Sequence, residues 1–341
     1  MFSKFFNIPG RFFALVSKWS KLQRTGNDCR FTMSDRVAYS VDKNRKVEER
    51  YTFTLPELYR NIALQELNEE DIVREQAVTQ MREWIVSNPH IRKCRVDAPF
   101  LLRFLRFRKF SVPLACEALE QYLTVREMYP SWYKNLNCNH PIMRRMQETN
   151  GISVLGQDSA GRTVVLMQTL RMEKGRFTAL QEGRFIFLLL EALLELEEVQ
   201  IGGLVVLIDY TGKSTESCKT WGATELKISF DGVFRFYPVR YQAIHAANLP
   251  KTIVSFVEYK LTFIPPNFKE KIHCHATVDK FKKLLEPLMI PQVYGGSVEL
   301  DELNKRFWKR FQLQYDDFVV GLDKFEINLD HYSAVARNLK N

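Results

Sequence analysis

Residues 100–110 read FLLRFLRFRKF. At about 100° per residue, Phe100, Leu101, Phe104, Leu105 and Phe107 gather on one side of a helix, and Arg103, Arg106 and Lys109 on the other, polar side. Arg108 falls inside the apolar arc. An arginine there needs an anion to meet it, or else lies just beyond the helix end. Upstream, Asn68 followed by Glu69, Glu70 and Asp71 is a helix-start signal. Val73, Ala77, Met81 and Trp84 recur at helical spacing until Pro89 stops them. Asp97 caps the helix that carries FLLRFLRFRKF to about Lys109, and Ser111-Val112-Pro113 opens a third that runs to about Met128. Residues 60–130 therefore read as a small helical domain.

From about residue 150 the period changes. GISVLGQDSAGRTVVLMQ (151–168) alternates as a hairpin does, with QDSAG at its turn. A long helix is expected over 181–198; its core FIFLLLEALLELEE (185–198) is the most apolar segment of the chain, and Glu191 and Glu195 suit it to a buried helix. GGLVVLIDY (202–210) is a continuous apolar run between glycines and Asp209, as a central strand buried on both faces requires. A helix over about 216–236 leads to YPVRYQAIHAAN (237–248), a second such strand. KTIVSFVEYKLTFI (251–264) is an amphipathic helix ended by Pro265-Pro266, and KIHCHA (271–276) is a short strand. Strands alternating with helices indicate an α/β sheet.

Composition narrows the partners more than the fold. The 341 residues, 45% hydrophobic with 25 Phe, suffice for two domains, or for one large domain with a helical one attached. A net charge of +9 suits polyanions or anionic membranes. Six cysteines without a CxxC pair indicate reduced thiols in a cytosolic protein. His273-Cys274-His275 invites a metal reading, but on a strand the two histidines face one way and the cysteine the other. No second ligand pair sits at zinc-like spacing, so a structural role is expected. No apolar run reaches the ~20 residues of a spanning helix. Before Asp28 the chain carries five Lys/Arg and no acid. That segment reads as a basic tail or a membrane-touching segment, with a mitochondrial presequence as the other reading.

Catalytic signals are absent: there is no GxGxxG, P-loop, GxSxG or HExxH. Asp209 precedes Gly212 at a strand end and reads as turn chemistry. Strands apolar on both sides leave no stacking platform for RNA, and no nucleic-acid partner is expected.

FLLRFLRFRKF, VVLIDYTG, FYPVRYQAIHAAN and IPQVYGG, in that order within residues 60–310, resemble the CRAL-TRIO lipid-carrier family and, within it, the tocopherol- and retinaldehyde-transfer branch. The resemblance implies an α/β fold: a small N-terminal helical domain, then a domain whose mixed sheet floors an apolar lipid pocket closed by a gate helix. It divides the chain into a poorly ordered basic segment and linker (1–55), the helical domain (56–135), the lipid-binding domain (140–310) and a C-terminal extension (311–341). It implies a monomeric, non-enzymatic carrier of one small hydrophobic lipid, without cofactor or metal. Such a carrier is cytoplasmic and peripheral on intracellular membranes, and docks on phosphatidylinositol bisphosphate headgroups that promote gate opening.

Carried over by position, Arg108, Arg240 and Lys271 would hold the headgroup, so that Arg108 interrupts its apolar arc because it faces phosphates. A fourth basic position of the tocopherol carriers is Asn267 here, with Lys269 two residues on as its substitute. Two serines of those carriers correspond to Ile186 and Leu190, which leaves fewer donors for a hydroxylated ligand. Phe185, Leu189, Ile208, Val233 and Ile244 complete the expected lining, and Ile253, Phe256, Val257 and Leu261 the gate. The rival reading is a lipid-dependent adaptor that holds a lipid and reports it to a protein partner without moving it.

Overall fold

The structure, a computed structural model, describes residues 40–45 and 51–331. The basic N-terminal segment lies outside the described residues. The first half is helical: α1 (Glu57–Leu67), α2 (Asp71–Ser87), α3 (Ala98–Phe107) and α4 (Val112–Met128). The rest holds α5 (Ala179–Leu194), α6 (Glu197–Gly202), α7 (Ala223–Asp231), α8 (Val254–Leu261) and α9 (Leu300–Gly321). Seven strands accompany them: β1 (Ile91–Lys93), β2 (Ile152–Gln157), β3 (Thr163–Gln168), β4 (Leu204–Asp209), β5 (Tyr241–Ala247), β6 (Ile272–His275) and β7 (Glu326–Ile327).

Local chemistry sets the helix ends. Asp97 accepts from the Phe100 amide at 3.2 Å and caps α3, while Thr178 and Gln181 form a reciprocal capping box that starts α5. Asn68, expected to open a helix, instead closes α1 with φ 62°, a left-handed conformation asparagine tolerates. The charge pattern after it belongs to α2, which begins at Asp71.

β2 to β6 form one sheet in sequential order; β2 runs antiparallel to β3 and the remaining pairs are parallel. The mixed sheet is as expected, and its strands are covered on both faces. Leu155, Val164, Leu166, Val205 and Leu207 pack on one side against Leu285, Met289 and Leu300. The opposite face looks toward α5. Gly203 enters β4 at φ 77°, with Arg240 O only 2.4 Å from where a Cβ would sit, so no other residue fits this approach.

Two expected boundaries move. Residues 51–55, assigned to the linker, join the fold: Phe53 is buried in a cluster with Tyr59, Ala63, Leu67 and Ile201. Phe311, Val319, Leu322, Phe325 and Ile327, assigned to an extension, are buried. Phe311 is 2% exposed, and β7 pairs antiparallel with β1.

The larger correction concerns the polar face of α3. Arg103 and Arg106 do not meet water; they are 1% and 0% exposed. Arg106 donates to Glu69 at 2.8 and 2.9 Å, to Glu197 and Gln200 at 2.7 Å, and to the Tyr51 hydroxyl at 3.1 Å. Arg103 pairs with Glu195 and lies 3.5 Å from Glu191. Arg95 reaches Glu195 at 3.4 Å. Tyr122 and Arg126 of α4 donate to Glu191 at 2.7 and 3.1 Å. Burial alone would push the Glu69 carboxyl up, but Arg106 and Arg74 outweigh it and hold it below the usual carboxylate range.

Removing one partner of a buried pair strands the other. Arg106→Ala is therefore expected to destabilise the protein by ~3–5 kcal/mol in urea unfolding; a loss below ~1 kcal/mol would place these charges in the solvated class.

Candidate functional site

Between the sheet and α5 lies a cavity of about 250 Å³. Ile186, Leu189 and Leu190 reach it from α5, Ile208 from β4, Ile244 from β5, and Val233 from the π-helical turn after α7. Ile253, Phe256, Val257 and Leu261 close it from α8 and the residue before it. Ile186, Val206, Ile208 and Phe256 are only half-buried, although they sit inside the fold, because they border this space. Phe185 does not belong to it. One residue before Ile186 it points elsewhere, its ring centroid 5.4 Å from that of Trp308 in α9.

Sequence reasoning missed the polar end of the cavity. Glu182, Lys213, Trp221 and Lys260 all line it. Trp221 Nε1 donates to Glu182 Oε2 at 3.2 Å. Burial raises the Glu182 carboxyl, against the opposing pull of Lys213 and Lys260. These residues come from the first turn of α5, the loops on either side of residues 215–218, and α8, so no local spacing joins them.

The segment leading into α8 is tied to neighbouring loops. Asn248, at φ 54°, donates to Thr211 at 2.7 Å and accepts from the Val278 amide at 3.2 Å. Thr211 in turn donates to Asp209, whose second oxygen accepts from the Tyr294 hydroxyl at 2.7 Å. Asp209 thus holds the turn after β4, as expected, and also ties down the IPQVYGG segment.

The expected headgroup residues separate into two environments. Arg240 donates to Ile201 O and to Glu66 at 2.7 Å, and Lys271 to Tyr241 O at 2.6 Å. Burial, then Arg240, then Lys109 lower the Lys271 ammonium from its usual range, so these three cations crowd one place. Lys109 was not foreseen there. Arg108 caps the C-terminus of α3 and lies with its guanidinium carbon 4.6 Å from the centroid of the Phe107 ring. Its misfit on the helical wheel has a local cause: the helix ends at Phe107. Lys269 and Asn267 are both exposed.

On β5 and β6, His245 Nδ1 lies 3.0 Å from His275 Nε2, and its ring stacks 4.9 Å from that of His273. Cys274 points the other way and borders the cavity. Among the described residues no group of three or more His, Cys, Asp or Glu is arranged to hold a metal ion, and no helix is long and apolar enough to cross a membrane.

Residues 147–296 match the family model for the CRAL/TRIO domain, and residues 70–143 that for the Pinta-like UBA domain. Clavesin-1 of Xenopus laevis is 29% identical over 235 residues, 68% of this chain and 71% of its own. Clavesin-2 of Homo sapiens is 26% identical over 279 residues, 81% of this chain and 83% of its own. The crystal structure of Sfh5 aligns with TM-score 0.45 and 13% identity, covering 77% of this chain and 99% of that one.

The histidine ladder gives a pH dependence. Burial first, then His273, His275 and Arg162, hold His245 down to about 4 from the ordinary 6.5. A folded value below the unfolded one means that this stability is complete above pH 6.5 and is lost as pH falls from there toward 4. His245→Gln should therefore flatten the fall in melting temperature between about pH 7 and pH 5. Parallel curves for the variant and the parent would exclude the ladder as its cause.

Proposed function

The chain belongs to the CRAL/TRIO family, and from that premise we propose that it is a non-enzymatic carrier of a hydrophobic lipid. The observation that carries this reading is the apolar cavity between sheet and α5, closed by a short helix whose leading segment is tied to loops. Exposing a lipid to water costs ~0.8 kcal/mol per CH₂, so spontaneous desorption from a bilayer is slow. A closed apolar cavity offsets that cost, provided that α8 can open at the membrane.

The second part of the proposal is that Arg240, Lys271 and Lys109 receive a phosphoinositide headgroup, with Arg108 and Lys269 as flanking cations. A lysine whose proton affinity burial and neighbouring cations depress, as burial, Arg240 and Lys109 do at Lys271, gains most from a polyanion. A basic surface also concentrates the protein on anionic lipid, at ~1 kcal/mol per nearby Lys or Arg. Lys271 leads into β6, which borders the cavity through Ile272 and Cys274. Headgroup binding and cargo release would then be reciprocally coupled.

The test is native mass spectrometry with lipid extraction on the purified protein, together with saturable transfer between vesicles. One co-purifying apolar lipid that moves between vesicles is the expected result; a lipid that is bound but never moved would favour the adaptor. Lys109→Gln and Lys271→Gln should each weaken binding to phosphoinositide vesicles ~10-fold or more. Vesicle binding indifferent to both substitutions would remove the headgroup site.

A further inference from the structure

We propose that the cavity takes a single-chain lipid with an anionic head group, seated between Lys213 and Lys260. This rests on the reading of the cavity as a lipid site and adds the chemical class of the cargo.

The cavity has two unlike ends. Ile186, Leu190, Val206 and Ile244 line it with aliphatic carbon, which suits a tail. The other end brings two ammonium groups to the boundary of a closed space. Among the described residues neither Lys213 nor Lys260 has a side-chain hydrogen bond or an ion pair. Lys260 has instead the ring centroids of Phe256, Tyr210 and Phe230 at 5.4, 5.8 and 6.0 Å from Nζ. Such rings hold a cation without neutralising it. A buried or half-buried ammonium without a counter-ion is costly, so the arrangement calls for an anion.

Among the described residues the protein places no carboxylate in ion-pair contact with either ammonium. Glu182 is the one acid among the lining residues. It takes its hydrogen bond from Trp221, and burial raises its carboxyl against the pull of Lys213 and Lys260. The nearby Glu173 is occupied by the amide and hydroxyl of Ser214. Two acids thus stand near the two cations, Glu173 beside Lys213 and Glu182 beside both, yet neither forms an ion pair with an ammonium. A lipid alcohol or aldehyde would leave both ammonium groups unmatched, whereas a carboxylate or phosphate would meet them with charge-assisted hydrogen bonds. A space of about 250 Å³ lies below the ~300–1,000 Å³ of sites for drug-sized ligands, and so suits one chain rather than two.

Lys213 stands on the loop after β4, whereas Lys260 stands on α8. An anion held by both links α8 to the fixed wall of the cavity. The head group of the cargo would thereby latch the helix that must move for the cargo to leave.

Equilibrium dialysis with the full chain and radiolabelled hexadecanoic acid, hexadecyl phosphate and hexadecan-1-ol tests this. The expected result is that one or both anionic lipids bind ~10-fold or more tighter than the alcohol. That preference should shrink to ~2-fold or less in Lys213→Gln/Lys260→Gln and return in Lys213→Arg/Lys260→Arg. Circular dichroism spectra and melting temperatures matching the parent show that the variants are folded. Which anion wins separates a carboxylate cargo from a monoacyl phosphate. Equal affinity for acid, phosphate and alcohol would overturn the anionic head group and leave the carrier intact. Binding of none of the three would overturn both.

Discussion

Four arginines, Arg95, Arg103, Arg106 and Arg126, are each at most 2% exposed, and every one finds a carboxylate on or beyond the far end of α5 or in a neighbouring loop. A buried charge is tolerated only when all its partners are in place. The helical layer and the α/β layer therefore cannot part without stranding several charges at once, and the two domains read from the sequence are one structural unit. The same constraint fixes the rotation of α5 about its axis. Glu191 must face Tyr122 and Arg126. At about 100° per residue, Ile186, Leu189 and Leu193 then lie roughly opposite and face the sheet. Which side chains border the cavity is thus a consequence of where the ion pairs lie.

Against that fixed wall, α8 is built to be weak. It has eight residues, with Val257 its only buried one. A helix of that length is not stable by itself, so its contacts with the cavity rim hold it. Asn248 and Pro250 precede it, and Pro265 and Pro266 follow closely, so the strain of any movement falls on short segments outside the sheet. Low local stability in an element flanked by rigid ones is what a moving part requires.

Much of this was legible in the sequence. Alternation and apolar runs placed the strands, because a strand declares its burial residue by residue. The cavity-lining residues of α5 and α8 were legible through resemblance to a family whose order of motifs is preserved. Arg103 and Arg106 were misread, since a helical wheel shows that a face is charged but not whether water or a carboxylate meets it. The partners, Glu69 and Glu195, lie 37 and 92 positions away. Phe185 was assigned to the cavity because apolar character does not distinguish the two sides of a helix buried all round. The joining of Glu182, Lys213, Trp221 and Lys260 depends on tertiary folding alone and left no periodic trace.

Among the described residues, three groups of cations differ in what answers them. In the interface between layers each cation has a carboxylate, and the charges act as structure. Where Arg240, Lys271 and Lys109 meet, Glu66 reaches Arg240, and burial together with Arg240 and Lys109 makes Lys271 hold its proton less firmly. At the cavity, Lys260 has aromatic faces, and Lys213 and Lys260 have acids near them but no ion pair. Desolvation penalises a cation in proportion to how little answers it. Among the described residues, the cations at the cavity and beside β6 lie where a bound molecule can meet them, whereas those of the interface between layers lie where only the chain itself can. That division separates the part of the molecule that must not move from the part whose state depends on what it binds.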